Sequence, residues 1–108
     1  MDNEKQAQEN INKLQVLEQK MHSILMQKQN FQSRLLETEN ALHELKSVDS
    51  AYKVVGNIMV NYPAKDLTSE LDKQKLSFEE GLKTVEEQEK KLKESSEEIQ
   101  KELAEQIK

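Results

Sequence analysis

The chain has 108 residues, of which 34% are charged and 34% hydrophobic, and its formal net charge is -5. This composition favours long helices over a large globular core, and the negative charge argues against nucleic acid or an anionic membrane as a partner. Cysteine is absent, which excludes disulfides and thiolate metal sites. Because no apolar run suggests a signal peptide or a membrane span, we expect a cytoplasmic protein.

A heptad repeat predicts one long helix over residues 3–46. Mostly apolar residues recur every seven positions in two interleaved series, the a and d positions of a coiled coil. The a series is Leu14, Met21, Lys28, Leu35 and Leu42, and the d series is Leu17, Ile24, Phe31, Thr38 and Leu45. No glycine or proline interrupts this arm, and turn-forming residues end it at Ser47, Asp49 and Ser50.

A short segment of different character, residues 51–62, follows the first arm. It is rich in valine, isoleucine and tyrosine, which favour strands, around the pair Gly56-Asn57. Two apolar runs separated by Gly-Asn predict a β-hairpin with a type II′ turn, in which glycine supplies the positive φ. Apolar residues lie on both faces of this hairpin, and an isolated hairpin is marginally stable in water. We therefore expect other chains to cover it.

The second arm is predicted as a helix over residues 67–107. Pro63 lacks an N–H and is expected to end the strand pairing, and Asp66 is a suitable N-cap. One heptad series is Leu71, Phe78, Val85, Leu92 and Ile99, and the other is Lys75, Leu82, Glu89, Ser96 and Leu103. Gly81 falls at a position predicted to face outward, where it costs about 1 kcal/mol relative to alanine.

The two arms are predicted to pack antiparallel, because the hairpin between them reverses the chain. If the chain folds about Gly56-Asn57, every a position of one arm meets a d position of the other, and Val55 pairs with Ile58. Lys28 and Glu89 then lie in adjacent layers of the seam. We expect them to meet and help define the alignment. The alternative is that both side chains extend to water.

Nothing in the sequence indicates catalysis. A glycine-rich phosphate loop, a nucleophile elbow and metal-ligand spacing are all missing, so we expect no enzyme, no cofactor and no metal. His22 and His43 both fall at the outward b position of the first arm. They lie about 30 Å apart along a helix, too far to share an ion. Surface histidines are a simpler interpretation than a pH switch.

The stretch Tyr52-Lys53-Val54-Val55-Gly56-Asn57, placed between two arms of similar length, resembles the beta-type subunits of the prefoldin family, most closely the archaeal form. Weaker supporting pieces are residues 27–29, 41–45 and 87–92. Alpha-type members have longer central segments that form two hairpins. This chain has room for one hairpin, which favours the beta type.

The resemblance implies an ATP-independent holdase chaperone that works in a hexamer of two alpha and four beta subunits. The hairpins of the subunits would join into a β-barrel platform. The coiled coils would capture unfolded client proteins at their tips and deliver them to a group II chaperonin. The residues that the resemblance assigns to oligomerisation are Tyr52, Val54, Val55, Gly56, Asn57, Ile58, Met59, Val60 and Tyr62.

Apolar residues near both chain ends come together at the predicted tip of the coiled coil: Ile11, Leu14, Val16, Leu17, Ile99, Leu103 and Ile107. From the pattern alone they could simply close the end of the seam, whereas the resemblance favours client binding. Weak contacts from several arms would add through effective concentration. The rival hypothesis is a structural coiled-coil spacer or adaptor without chaperone activity. Such a protein would not need a hairpin that is apolar on both faces.

Overall fold

The computed structural model describes residues 2–107 and contains two long helices joined by a β-hairpin. Helix α1 spans Asp2–Leu45, strand β1 Ser50–Val55, strand β2 Ile58–Pro63 and helix α2 Ala64–Gln106. The predicted mainly α fold with a central hairpin is confirmed. The single domain predicted over residues 1–108 includes Met1 and Lys108, which lie outside the described residues.

The described chain divides into two compact units. The terminal unit comprises residues 2–29 and 83–107, and the hairpin unit comprises residues 30–82. Within each unit a segment of α1 packs antiparallel on a segment of α2. In the terminal unit Asn10 contacts Gln106 and Lys28 contacts Glu89. Residues later in α1 therefore meet residues earlier in α2, as antiparallel packing requires.

The heptad prediction agrees with the burial of both helices. All ten predicted seam positions in α1 and all ten in α2 are buried or half-buried. The repeat also extends further toward the N-terminus than predicted. Ala7 and Asn10 occupy the next a and d positions and are only 8% and 4% exposed. The seven-residue period therefore determines which side of each helix faces its partner.

The hairpin has the predicted pairing. Its strands are antiparallel, with Val55 opposite Ile58 and Val54 opposite Met59. Gly56 has a φ of 62°, and no non-glycine residue among those described has a positive φ. A positive φ at the first turn position alone is the pattern of a type II′ turn rather than type I′. Glycine adopts this conformation without a steric penalty.

The predicted start of α2 was wrong. The helix begins at Ala64 rather than residue 67, so Asp66 lies in the first turn and is not the N-cap. Pro63 ends β2, and its missing N–H costs nothing immediately before a helix, where backbone donors lack helical partners. The N–H of Ala64 donates to the carbonyl of Asp49 at 2.9 Å. The strand therefore passes directly into α2. The other element bounds differ from prediction by one residue.

The predicted outward position of Gly81 was also wrong. Gly81 is half-buried in the hairpin unit and lies against the ring of Phe31. A Cβ atom built on Gly81 would come within 2.6 Å of two ring carbons of Phe31. The residue lies next to the seam, where the bulky ring from α1 needs the space.

A small hydrophobic cluster joins the base of the hairpin to the helices. Leu45, Ala64 and Leu67 are buried together, and the partly buried residues packed against them are Ala51, Tyr62 and Leu71. Because α1, β1, β2 and α2 all contribute, this cluster holds the hairpin at the ends of the helix segments within its unit. Burial of apolar surface of this kind contributes roughly 25 cal/mol per Å².

Candidate assembly surface and terminal seam

One face of the hairpin is open to solvent. Side chains alternate between the two faces of a strand, which places Tyr52, Val54, Met59 and Asn61 on the same side. Tyr52, Val54 and Met59 are 67%, 66% and 68% exposed. Large apolar side chains with this exposure are characteristic of surfaces that bind another protein. We call Tyr52, Val54 and Met59 the free face of the hairpin.

The opposite face is covered only near its base. Ala51, Lys53, Val60 and Tyr62 lie on this side and are half-buried, and the hydrophobic cluster supports Ala51 and Tyr62. The expectation that other chains cover the hairpin therefore applies only in part, because the chain's own helices cover part of one face. Among the predicted oligomerisation residues, Val60 and Tyr62 lie on this covered side.

The turn end of the hairpin extends beyond that cover. Val55 and Ile58 share the side of Lys53 and Val60, yet they are exposed. Apolar side chains are thus accessible on both faces near Gly56, and on the free face alone nearer the helices. The open edge of each strand also carries unpaired backbone groups that can extend a sheet.

A salt bridge connects the covered face to α2. The Lys53 amine lies 2.5 Å from Glu70 Oε1 and 5.7 Å from the centroid of the Tyr62 ring. The hydrogen bond with Glu70 is the main reason that the pKa of Lys53 is raised; burial opposes this effect, and the negative charge of Glu70 adds to it. Beside this pair, residues including Val48, Tyr52, Leu67 and Leu71 line a groove of about 520 Å³ along β1.

The terminal unit contains the ion pair expected in the seam. Lys28 Nζ lies 3.2 Å from Glu89 Oε1 and 3.5 Å from Oε2. The two side chains are 28% and 13% exposed, so they meet each other instead of extending freely to water. The hypothesis that Lys28 and Glu89 meet is confirmed. Such a pair favours one alignment, because a shifted seam would leave partly buried charges without partners.

A second polar contact in the terminal seam was missed by sequence reasoning. The amide of Asn10 donates to Gln106 Oε1 at 3.0 Å, and Asn10 is almost fully buried. The available signal was its position seven residues before Leu17, which continues the d series. A buried asparagine in a coiled-coil seam restricts register at some cost in stability.

The predicted client-binding residues occupy two different environments. Leu14, Leu17, Ile99 and Leu103 are half-buried in the seam, whereas Ile11, Val16 and Ile107 are 38%, 50% and 69% exposed. The exposed members can contact another protein with the helices packed as they are. The seam members are accessible from grooves beside the seam, or if the helix ends separate.

The larger groove of the terminal unit has a volume of about 720 Å³, and its lining includes the apolar residues Leu14, Leu17, Met21 and Leu92. Leu25 also lines this groove, is 42% exposed and was not among the predicted residues. The signal was again positional, since Ile11 and Leu25 each directly follow a d position and extend the apolar surface to one side of the seam. A smaller groove of about 400 Å³ contains Val16, Leu17 and Ile99.

No group of three or more histidine, cysteine, aspartate or glutamate side chains suited to a metal occurs within residues 2–107. His22 borders the larger groove and is exposed, as is His43. Over the same range, neither helix has an apolar stretch that would let it cross a membrane.

Comparison with known sequences identifies close similarity along most of the chain. The family model described as prefoldin subunit matches residues 8–108. The prefoldin subunit beta of Archaeoglobus fulgidus is 38% identical over 101 residues, which cover 91% of this chain and 87% of that protein. The prefoldin subunit beta of Methanospirillum hungatei is 31% identical over 104 residues, covering 94% and 87%.

The fold agrees with these matches. The crystal structure of the prefoldin beta subunit from Thermococcus strain KS-1 superposes with a TM-score of 0.84 at 32% sequence identity, covering 91% of this chain and 89% of that one. The shared features are two long helices and a short antiparallel hairpin. The chain therefore belongs to the prefoldin family of chaperone subunits, as a member of its beta type.

Proposed function

We propose that this chain is a beta subunit of a cytoplasmic, ATP-independent holdase chaperone, built as a hetero-hexamer with alpha-type subunits. In this proposal the hairpins assemble the complex, and the terminal units capture unfolded proteins and deliver them to a group II chaperonin. The stoichiometry of two alpha and four beta subunits follows the family.

The observation that carries the proposal is the exposed free face of the hairpin. Tyr52, Val54 and Met59 are about two-thirds exposed, although their segment is anchored by a buried cluster on its other side. A protein that acts alone gains nothing from three large apolar side chains in water. Contact with other hairpins would bury them and would also pair the open strand edges.

The terminal unit supports the second part of the proposal. The terminal unit presents hydrophobic surface to a client through exposed Ile11, Val16 and Ile107 and through the apolar lining of the larger groove. This surface is shallow and does not form a deep, selective pocket. Non-native proteins share exposed apolar segments rather than a sequence, so shallow apolar contact suits them. If several subunits contact one client, their weak contacts add through effective concentration, and the client stays bound for longer.

Packing within the chain disfavours the spacer hypothesis. A spacer that dimerises in parallel would bury its a and d positions against another chain. Here those positions of α1 and α2 are buried against each other within each unit. The hairpin still carries exposed apolar side chains that this intramolecular seam does not cover.

Native mass spectrometry of the chain, alone and mixed with an archaeal prefoldin alpha subunit, tests assembly. We expect a heteromer with the mass of two alpha and four beta subunits. A stable dimer that forms no heteromer would instead favour the spacer. Holdase activity is then measured as suppression of aggregation when chemically unfolded citrate synthase is diluted into buffer without ATP.

Matched serine variants separate client binding from assembly. Replacing Ile11, Val16 and Ile107 together with serine should reduce aggregation suppression several-fold while the heteromer persists. The control replaces Leu36 and Leu76, which are 60% and 58% exposed and lie in the hairpin unit. Equal losses in both variants would show that general surface hydrophobicity, not the terminal unit, holds the client. Delivery is tested by transfer of the bound protein to a group II chaperonin.

A further inference from the structure

Lys53 is the only charged residue between Ser50 and Pro63, and its position on the hairpin is unusual. The strand alternation places it on the covered face, directly opposite Val60. Its other neighbours on that face are Ala51, Val55 and Tyr62, which are aliphatic or aromatic. A neighbouring subunit that occupied the groove beside β1 would place the Lys53 amine in low-dielectric surroundings.

Glu70 provides the compensating charge from α2. The Lys53 amine donates to Glu70 Oε1, and it also lies over the Tyr62 ring. Both side chains of the pair are about two-fifths exposed in the isolated chain. The contact ties the middle of β1 to the second turn of α2. It adds a polar link to the packing of Tyr62 and Leu71 against the buried cluster.

The energetic consequence of this pair depends on whether the hairpin is covered. A solvent-exposed ion pair contributes little to stability, because water screens it and both side chains lose freedom. When one partner of a pair is removed from a buried site, the remaining charge is desolvated without compensation and the loss is much larger. The groove beside the pair is continuous with Tyr52 of the free face, so a hairpin packed there would desolvate both groups.

We propose that Lys53 and Glu70 are positioning residues for assembly, which hold β1 against α2 and neutralise the Lys53 charge before a neighbouring subunit's hairpin covers the sheet. This inference rests on the proposed function in one respect, namely that the hairpin is the assembly surface. The part of the inference that says the pair orients the hairpin in the isolated chain does not depend on that function.

The test compares Glu70→Gln with Glu79→Gln, which removes an equally negative but exposed side chain elsewhere on α2. Hydrogen exchange of the backbone amides in residues 50–63 is measured on each isolated chain. We expect exchange about threefold faster in Glu70→Gln than in the control, the size of effect that an exposed ion pair produces. Equal exchange in the two variants would overturn the positioning role.

Assembly with the alpha subunit is then measured by titration at fixed salt. We expect Glu70→Gln to weaken the heteromer at least tenfold relative to Glu79→Gln, because the Lys53 charge is left uncompensated when covered. The reversed pair, Lys53→Glu with Glu70→Lys, should recover most of this loss, which a purely structural role of either residue would not produce. Failure of the reversed pair to improve on Glu70→Gln would argue against charge pairing.

These two readouts distinguish the inference from the proposed function. If the unmodified chain forms no heteromer, the proposed function fails, and the exchange comparison still decides whether the pair positions the hairpin. If the unmodified chain assembles and Glu70→Gln assembles equally well, the inference fails and the proposed function stands.

Discussion

The ring of Phe31 occupies the space that a side chain on Gly81 would fill. A Cβ on Gly81 would lie 2.6 Å from two carbons of that ring, closer than packed atoms approach one another. Helix propensity and packing thus make opposite predictions at this position. Alanine is favoured over glycine in a helix by about 1 kcal/mol, whereas overpacking costs typically about 1–3 kcal/mol.

We therefore expect Gly81→Ala to lower the free energy of unfolding by about 1 kcal/mol, with the steric cost exceeding the gain in propensity. Urea denaturation followed by circular dichroism measures the change. In a Phe31→Leu background, where the ring is absent, the same substitution should be neutral or stabilising. A rise in stability on Gly81→Ala in the unmodified chain would show that the ring moves aside at little cost.

The contact between Lys28 and Glu89 predicts energetic coupling across the terminal seam. The two atoms lie 3.2 Å apart and both side chains are largely removed from water. Each single reversal, Lys28→Glu or Glu89→Lys, should lower the free energy of unfolding by about 1–3 kcal/mol. The double reversal should be more stable than the sum of the two predicts, by on the order of 1 kcal/mol.

A double-mutant cycle measured by chemical denaturation gives this coupling directly. The matched cycle on the outer face reverses Glu86 and Lys90, an exposed pair four residues apart on α2. Its coupling should not exceed about 0.5 kcal/mol. Additive effects at Lys28 and Glu89 would mean that their contact does not contribute to the choice of register.

The free face of the hairpin predicts a variant that assembles poorly but folds normally. Val54 is 66% exposed, so Val54→Lys should change the free energy of unfolding of the isolated chain by less than about 0.5 kcal/mol. The same change would place a charge within the proposed interface, and we expect the heteromer to be lost in native mass spectrometry. Chaperone activity should fall only as a consequence.

The control for this variant is Leu36→Lys, at a similarly exposed position on α1. It should retain the heteromer. Val55→Lys and Ile58→Lys at the turn end should behave like Val54→Lys, since both residues are exposed near Gly56. Intact assembly in all three hairpin variants would exclude the hairpin as the assembly surface.

The Lys53–Glu70 pair predicts a stability difference that disappears at high pH. Its hydrogen bond raises the pKa of Lys53 above the usual 10.5. Below the usual pKa of 10.5, which applies to the unfolded chain, the Lys53 amine is charged in both the folded and the unfolded state, so the stabilisation is fully present. It is lost as the pH rises through the raised pKa of the folded state.

Urea denaturation of the unmodified chain and Lys53→Met at several pH values checks this direction. The difference between them should be constant up to about pH 10 and shrink at higher pH. Lys73→Met, which removes an exposed amine from α2, provides the comparison for general alkaline effects. A difference that persists unchanged above the raised pKa would mean that packing of the Lys53 stem, not its charge, supports the hairpin.

Periodicity explains why so much of this fold was predictable from residue order. A seven-residue repeat assigns the buried side of each helix, and the hairpin turn at Gly56 sets the register of the strands. Together they were sufficient to predict the meeting of Lys28 and Glu89. The residues predicted for assembly included all of the free face, Tyr52, Val54 and Met59. These features depend on local geometry and one chain reversal.

Other features depended on how side chains from distant segments share space. The sequence alone determined the two helices, the hairpin and the identity of the seam. Only the tertiary structure decided that Phe31 needs Gly81 to lack a side chain and that Lys53 pairs with Glu70. It also decided that Val60 and Tyr62 lie on the covered side. The physical reason is that steric fit and ion pairing depend on three-dimensional distances, which a repeat pattern does not contain.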